Sequence, residues 1–299
     1  LMKKSFIFTT FLVITLIFSS CGDLLNNSKK DLLLTANDLN GHWETVIVDL
    51  SENLSFRTVP SEGFDIDGEW VDEGNRIIFA SNRGNNPMQL YYLDLETEEI
   101  ELFHTGNLSN DDQPSLSPDG SKIAFRSDRT GNVEVYVVER DNTEAIRITE
   151  ITRASGEDWS PSWSPDGNQL AFASNRNGNF DIFVTNADGS NTKQLTNSPE
   201  NEWLPTWSPD GKKIAFASNK EGNWDIFLMN PDGSEMTQLT SHPSTDTEPV
   251  WSPDSEKIAF ASTRSKDDST SYRIFTITIE DNQTEGTGFA GIPYDWIRK

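Results

Sequence analysis

The chain is poor in the residues that most often build catalytic and metal centres: it has one cysteine, Cys21, and three histidines, His42, His104 and His242, among 299 residues. A lone cysteine excludes an internal disulfide framework, and three scattered histidines without ligand spacing exclude a His-based zinc site. Basic residues are also scarce, 24 Lys and Arg against 48 Asp and Glu. A formal charge of −24 repels phosphate backbones and excludes nucleic acid as a natural partner. Beyond Phe18 no apolar run is long enough to span a bilayer, and no GxSxG strand-turn-helix is present for a serine hydrolase.

The amino-terminal residues differ in kind from the rest. Lys3 and Lys4 precede an apolar stretch from Phe6 to Phe18, followed by Ser19, Ser20 and Cys21. This pattern reads as a signal peptide over residues 1–20, with Cys21 in the place of a lipid-modified cysteine. The expectation is export and diacylation of Cys21, then a linker over 21–31 and one domain over 32–299. An ordinary cleaved leader with an incidental thiol is the alternative.

A repeat with a fixed phase dominates the remainder. SPDG occurs at Ser117, Ser164 and Ser208, and SPDS at Ser252, spaced 44 to 47 residues apart. Each copy follows Leu116, Trp163, Trp207 or Trp251 and precedes KIAFRS, QLAFAS or KIAFAS; Trp70, VDEG and RIIFAS form an upstream copy. Ser, Pro and Gly at these positions predict a type I turn joining two antiparallel strands. Four short strands in about 45 residues, with apolar runs such as DIFV at Asp181, are the pattern of a propeller blade packed on both faces.

Five copies run from about Phe64 to Phe289 and leave a fragment at each end. The stretch from Leu32 aligns with the second, third and fourth strands of a unit, and Trp296 falls in phase 45 residues after Trp251. The expected fold is all-β: a six-bladed β-propeller closed by one C-terminal strand and three N-terminal strands, leaving no open edge.

The string WSPDGxxIAFASNRxGNxDIFxxNxDGSxxxQLT resembles the propeller repeat of the TolB family and of related tricorn-type propellers, over about Leu32 to Trp296. The resemblance implies a six-bladed propeller whose channel mouth binds other proteins, as TolB's mouth binds a peptidoglycan-associated lipoprotein. About ten residues separate Cys21 from the first strand, so the expectation is a TolB-like lipoprotein without the α/β domain that precedes the propeller in TolB.

Five positions before each phase residue stand Asp65, Asp111, Asp158, Glu202 and Asp246, with Gly291 in the sixth unit. On a propeller these positions surround one channel mouth, so the expectation is a ring of carboxylates attracting Lys- or Arg-bearing segments, or Ca²⁺ held by Asp111, Asp158, Glu202 and Asp246. Acids that merely accept backbone N–H bonds at strand starts are the plain alternative. Trp159 and Trp203 follow two of the acids, and Glu248 and Asp67 lie three before their phase residues; all suit an interface, although the tryptophans could equally pack between blades. Arg129 with Glu134, Arg176 with Asp181 and Lys220 with Asp225 are expected to pair across one hairpin loop.

These features predict a monomeric, lipid-anchored protein of the cell envelope, periplasmic or outer-membrane. It would bind a protein or peptide at an acidic channel mouth, without a cofactor, Ca²⁺ excepted. A metal-dependent hydrolase or lyase using the same funnel, and a structural scaffold of an envelope complex, are the competing functions.

Overall fold

The computed structural model describes residues 31–39, 42–57, 63–103, 109–140, 149–150, 156–264 and 272–298. The leader, Cys21 and residues 22–30 of the linker lie outside the described residues. Among the described residues no helix is long and apolar enough to cross a membrane.

Among the described residues twenty-four strands form six antiparallel sheets of four. The first strand of each sheet begins at an acid of the predicted series or at Ile292: β4 (Asp65–Val71), β8 (Asp111–Leu116), β12 (Asp158–Trp163), β16 (Glu202–Trp207), β20 (Asp246–Trp251) and β24 (Ile292–Arg298). Each of these six touches the next around a closed circle, so they are the inner strands lining the central channel. The sixth sheet runs from β24 to β1 (Asp31–Leu39), β2 (His42–Asp49) and β3 (Leu54–Arg57), as the closure reading requires. Leu33 lies opposite Trp296 and Leu32 opposite Ile297, joining the two ends of the chain in one ladder.

The turns behave as the SPDG pattern predicts. Gly120 N–H donates to Ser117 O at 2.8 Å while Ser117 Oγ donates to Asp119 Oδ1 at 2.6 Å, and the units at Ser164, Ser208 and Ser252 repeat both contacts. The last turn position has φ near +70° at Gly120, Gly167 and Gly211, a conformation open to glycine at little cost and taken by Ser255 at +63°.

Second-strand side chains alternate between the two neighbouring blades, which explains their unbroken apolar runs. Ile77 and Phe79 pack with Leu32, Leu34 and Ile47 of the closing sheet, while Ile78 and Ala80 pack with Ile123 and Phe125 of the next blade. The same arrangement recurs at each seam, ending where Val250, Ala259 and Ile274 meet Leu33, Val46 and Trp296. Indole N–H groups add a directed contact: Trp163 Nε1 donates to Ser115 O at 3.0 Å and Trp251 Nε1 to Thr206 O at 3.1 Å, both in the preceding blade.

Stability should therefore depend steeply on the closing strand. A chain ending at Ala290 loses the buried Trp296 and uncovers the edge of β1; we expect more than about 5 kcal/mol of destabilisation, comparable with a whole domain's margin. Urea unfolding followed by tryptophan fluorescence measures it, and a synthetic peptide of residues 291–299 is expected to restore part of the loss.

Candidate functional site

The acids of the predicted ring do form a ring, but they face into the blades. Asp65, Asp111, Asp158, Glu202 and Asp246 are each 2% exposed or less. Each carboxylate lies opposite the serine that ends the second strand, and in four blades an arginine two residues further on closes a triad. Arg129 Nη2 donates to Asp111 at 2.8 Å while its Nε donates to Ser127 Oγ at 2.8 Å. Arg176 binds Asp158 and Ser174 at 3.1 and 2.8 Å, and Arg83 binds Asp65 and Ser81 at 3.1 and 3.0 Å. Arg264 pairs with Asp246 in the same way. Each guanidinium also lies over two rings; Arg129, for example, sits 5.0 Å from the Phe125 centroid and 4.7 Å from that of Tyr136.

The motif SNR is accounted for residue by residue. Serine bridges acid and arginine, arginine neutralises the acid, and asparagine accepts the backbone N–H just before the acid, as Asn175 Oδ1 does from Glu157 at 2.7 Å. The exposed acidic ring is thus corrected: burying a carboxylate is costly unless it is paired and hydrogen-bonded, and these are. The hairpin-loop pairs are corrected as well. Arg129 and Arg176 reach back 18 residues to the inner strand, while Asp181 accepts from Gln194 and Asp225 from Thr240.

Blade four departs from the rule. Glu202 is one methylene longer and Lys220 replaces arginine; the carboxylate takes hydrogen bonds from Ser218 and Ser198, and burial beside Asp181 raises the pKa of both acids. Among the described residues no group of three or more His, Cys, Asp or Glu side chains is placed to hold a metal ion. Asp111, Asp158 and Asp246, offered as metal ligands, are each committed to the arginine of their own blade.

The channel wall is made two residues further along. Every inner strand carries a β-bulge, and in five the residue at its start has positive φ: Asp67, Gln113, Ser160, Leu204 and Glu248, at 50–57°. The bulge turns these side chains into the channel. There Asp67 and Gln113, with the channel acids Glu69 and Asp295, lace neighbouring strands together: Gln113 N–H donates to Asp67 at 3.4 Å, Ser160 N–H to Gln113 Oε1 at 2.9 Å, Leu116 N–H to Glu69 at 2.7 Å and Trp70 N–H to Asp295 at 2.9 Å. Glu248 breaks the pattern because the corresponding residue of the next strand is Pro293, which has no N–H. Burial holds the channel acids above the ordinary carboxylate range. Asp295 is pushed up to about 6, and Glu248 to about 8 with help from the charge of Asp67. Asp67 and Asp112 are raised by burial and partly restored by Arg126.

Gln113, Ser160, Leu204 and Glu248 separate two cavities. The one toward the strand ends, about 310 Å³, is walled by the inner-strand prolines with Glu69 and Asp295. The one at the strand starts, about 260 Å³, opens between Trp159, Trp203, Trp224 and Tyr272. Trp159 and Trp203 stack at 6.2 Å and 15°, Trp224 lies 5.3 Å beyond Trp203, and Phe180 meets Trp203 edge-on at 5.3 Å. Trp203 remains 36% exposed. At the other end of the row Arg126 sits 4.1 Å over Trp159 and 2.6 Å from Asp112. Trp159, Trp203 and Glu248 therefore belong to one mouth, and the buried acids do not. Arg126, Asp112, Trp224, Tyr272 and Tyr294 were not anticipated; the signal lay in departures from the repeat, since Arg126 stands where the other units have Ala80, Ala173, Ala217 and Ala261.

Comparisons with known proteins agree on the fold. Residues 181–290 match the model of the tricorn protease N-terminal β-propeller domain, and residues 117–204 that of the dipeptidyl peptidase IV N-terminal region. An uncharacterised protein of Agrobacterium fabrum is 30% identical over 81 residues, and this match spans 27% of either chain. A solved structure described as a TolB from Agrobacterium tumefaciens is 22% identical, with 89% of this chain and 92% of that one covered at a TM-score of 0.70. TolB from Acinetobacter baumannii is 21% identical, with coverage of 90% and 66% and a TM-score of 0.73. The chain has a six-bladed β-propeller fold similar to that of these TolB structures.

Two measurements check the division between buried and channel acids. Asp158→Asn leaves Arg176 without its counter-charge and is expected to cost about 3 kcal/mol in chemical denaturation, whereas Lys220→Ala should stay within about 0.5 kcal/mol. Glu248 binds its proton more tightly in the folded than in the unfolded chain, so stability should fall as pH rises from the unfolded value near 4.5 through about 8. Glu248→Gln should therefore raise the melting temperature at pH 8 and leave it nearly unchanged at pH 4.

Proposed function

We propose that this propeller is a binding module of the cell envelope that seats a segment of a partner protein across the mouth formed by Trp159, Trp203 and Trp224. The observation that carries the reading is the row itself: three indoles and Phe180 in mutual contact, with Trp203 exposed, beside a cavity leading to the channel. Clustered tryptophans rimmed by polar groups are the composition of interface hot spots, because a rigid aromatic gives a large contact area for little lost rotamer entropy. The TolB-like fold supports protein binding in the same sense. A leader over residues 1–20 followed directly by Cys21 supports attachment to a membrane by a lipid, with the short linker keeping the mouth near that surface.

The hydrolase or lyase alternative needs carboxylates converging on one point. The four named for it, Asp111, Asp158, Glu202 and Asp246, are drawn into four separate blades, and among the described residues the channel acids form no group of three placed to hold a metal ion, so the binding reading is the better supported.

Affinity capture from the native envelope tests the proposal, using residues 22–299 beside Trp203→Ala and Asp158→Asn, all with a chelator present. A partner held by the parent and by the folded fraction of Asp158→Asn, and weakened at least about tenfold by Trp203→Ala, is the expected result. Equal retention by the parent and Trp203→Ala would remove the mouth as the binding site.

A further inference from the structure

We infer that the mouth selects a cationic side chain, lysine or arginine, delivered over Trp224 and Tyr272 onto the carboxylate of Glu248; this rests on the proposed binding of a protein segment there.

The chain itself shows which charge the aromatic row accepts. At one end, Arg126 is held between the face of Trp159, 4.1 Å away, and the Asp112 carboxylate, 2.6 Å away. A planar cation between an indole and a carboxylate gains both a cation–π contact and an ion pair away from bulk water. At the other end the same two components are present without the cation. Trp224 and Tyr272 line the cavity with Glu248, and the position equivalent to Arg126 is Ala261, opposite Thr247. The small alanine leaves room where blade two places its own guanidinium.

Glu248 is also the channel acid free of a structural duty. Asp67, Glu69 and Asp295 each accept a backbone N–H of a neighbouring inner strand, whereas the residue facing Glu248 in that lacing is Pro293. Among the described residues no hydrogen bond or ion pair reaches its carboxylate. The groups facing it are Asp67, Tyr272 and Tyr294, and none of them supplies a positive charge. Asp67 has Arg126 and Gln113 N–H to draw on, so of these two acids Glu248 is the one without a positive partner to stabilise its ionised form. A visiting ammonium or guanidinium supplies the missing counter-charge and displaces the proton that Glu248 holds when the mouth is empty, so binding should strengthen as pH rises from about 6 to about 9.

The test uses acetylated, amidated glycine pentapeptides with lysine, arginine or norleucine at the centre, titrated against residues 22–299 at pH 8.5 by indole fluorescence. The lysine or arginine peptide is expected to bind about tenfold tighter than the norleucine peptide, the preference shrinking by pH 6. Glu248→Gln, which keeps the fold, should abolish the preference while leaving the norleucine peptide unaffected. Equal binding of charged and neutral peptides, an unchanged preference in Glu248→Gln, or no saturation by either cationic peptide up to about 10 mM would each overturn the inference. The broader reading fails separately: a captured partner weakened by Trp203→Ala but not by Glu248→Gln keeps protein binding and removes cation selection.

Discussion

The pairing of Ile292–Arg298 with Asp31–Leu39 is the constraint on which the rest depends. A blade cannot bury both faces of its second and third strands alone, and a row of five leaves an open face and an unpaired edge at each end. Joining the two ends of the chain in one sheet removes those edges and turns six seams into a continuous circle of apolar contacts. The channel, its bulged walls and its aromatic mouth exist only because that circle closes.

Within the circle, acids of the same type meet opposite fates over a distance of two residues. Asp65 lies opposite Ser81 in regular register, so its carboxylate enters the blade and is neutralised by Arg83. Asp67 has the same parity along the strand and would face the same way in an unbroken ladder. The bulge places Asp67 and Gly68 together opposite Phe79, and positive φ at Asp67 turns its side chain to the channel. One extra residue thus decides whether a carboxylate is a structural pin or part of the channel wall.

This explains what the sequence disclosed and what it withheld. Blade number, turn chemistry and closure were legible because each rests on a repeat whose phase survives substitution: Trp296, 45 residues after Trp251, announces the sixth blade although its other three strands lie at the opposite end of the repeat series. The acid series was visible as a series, yet its burial was not, because alternation cannot show a bulge. The true partners had a signal of their own. Arg83, Arg129, Arg176 and Arg264 each stand 18 residues after an acid, a pairing that recurs in four units where the five-residue pairs of the hairpin loops recur in three. The mouth was harder to read, since Trp159, Trp203 and Trp224 come from two strand starts and a loop of two adjacent blades, and Arg126 signals only by interrupting a run of alanines.

The two populations of charge also divide the electrostatic work. A formal charge of −24 gives the outer surface a long-range pull on cationic partners that salt screens. Glu248 contributes little to that field while the mouth is empty, because burial raises its pKa to about 8 and leaves it largely protonated near neutral pH. A protonated carboxyl in a narrow channel avoids the desolvation cost of a permanent charge and still becomes an anion when a cation arrives. Distant attraction therefore belongs to the surface and recognition to the mouth, so the number of acids in this chain says much less about specificity than the position of Glu248.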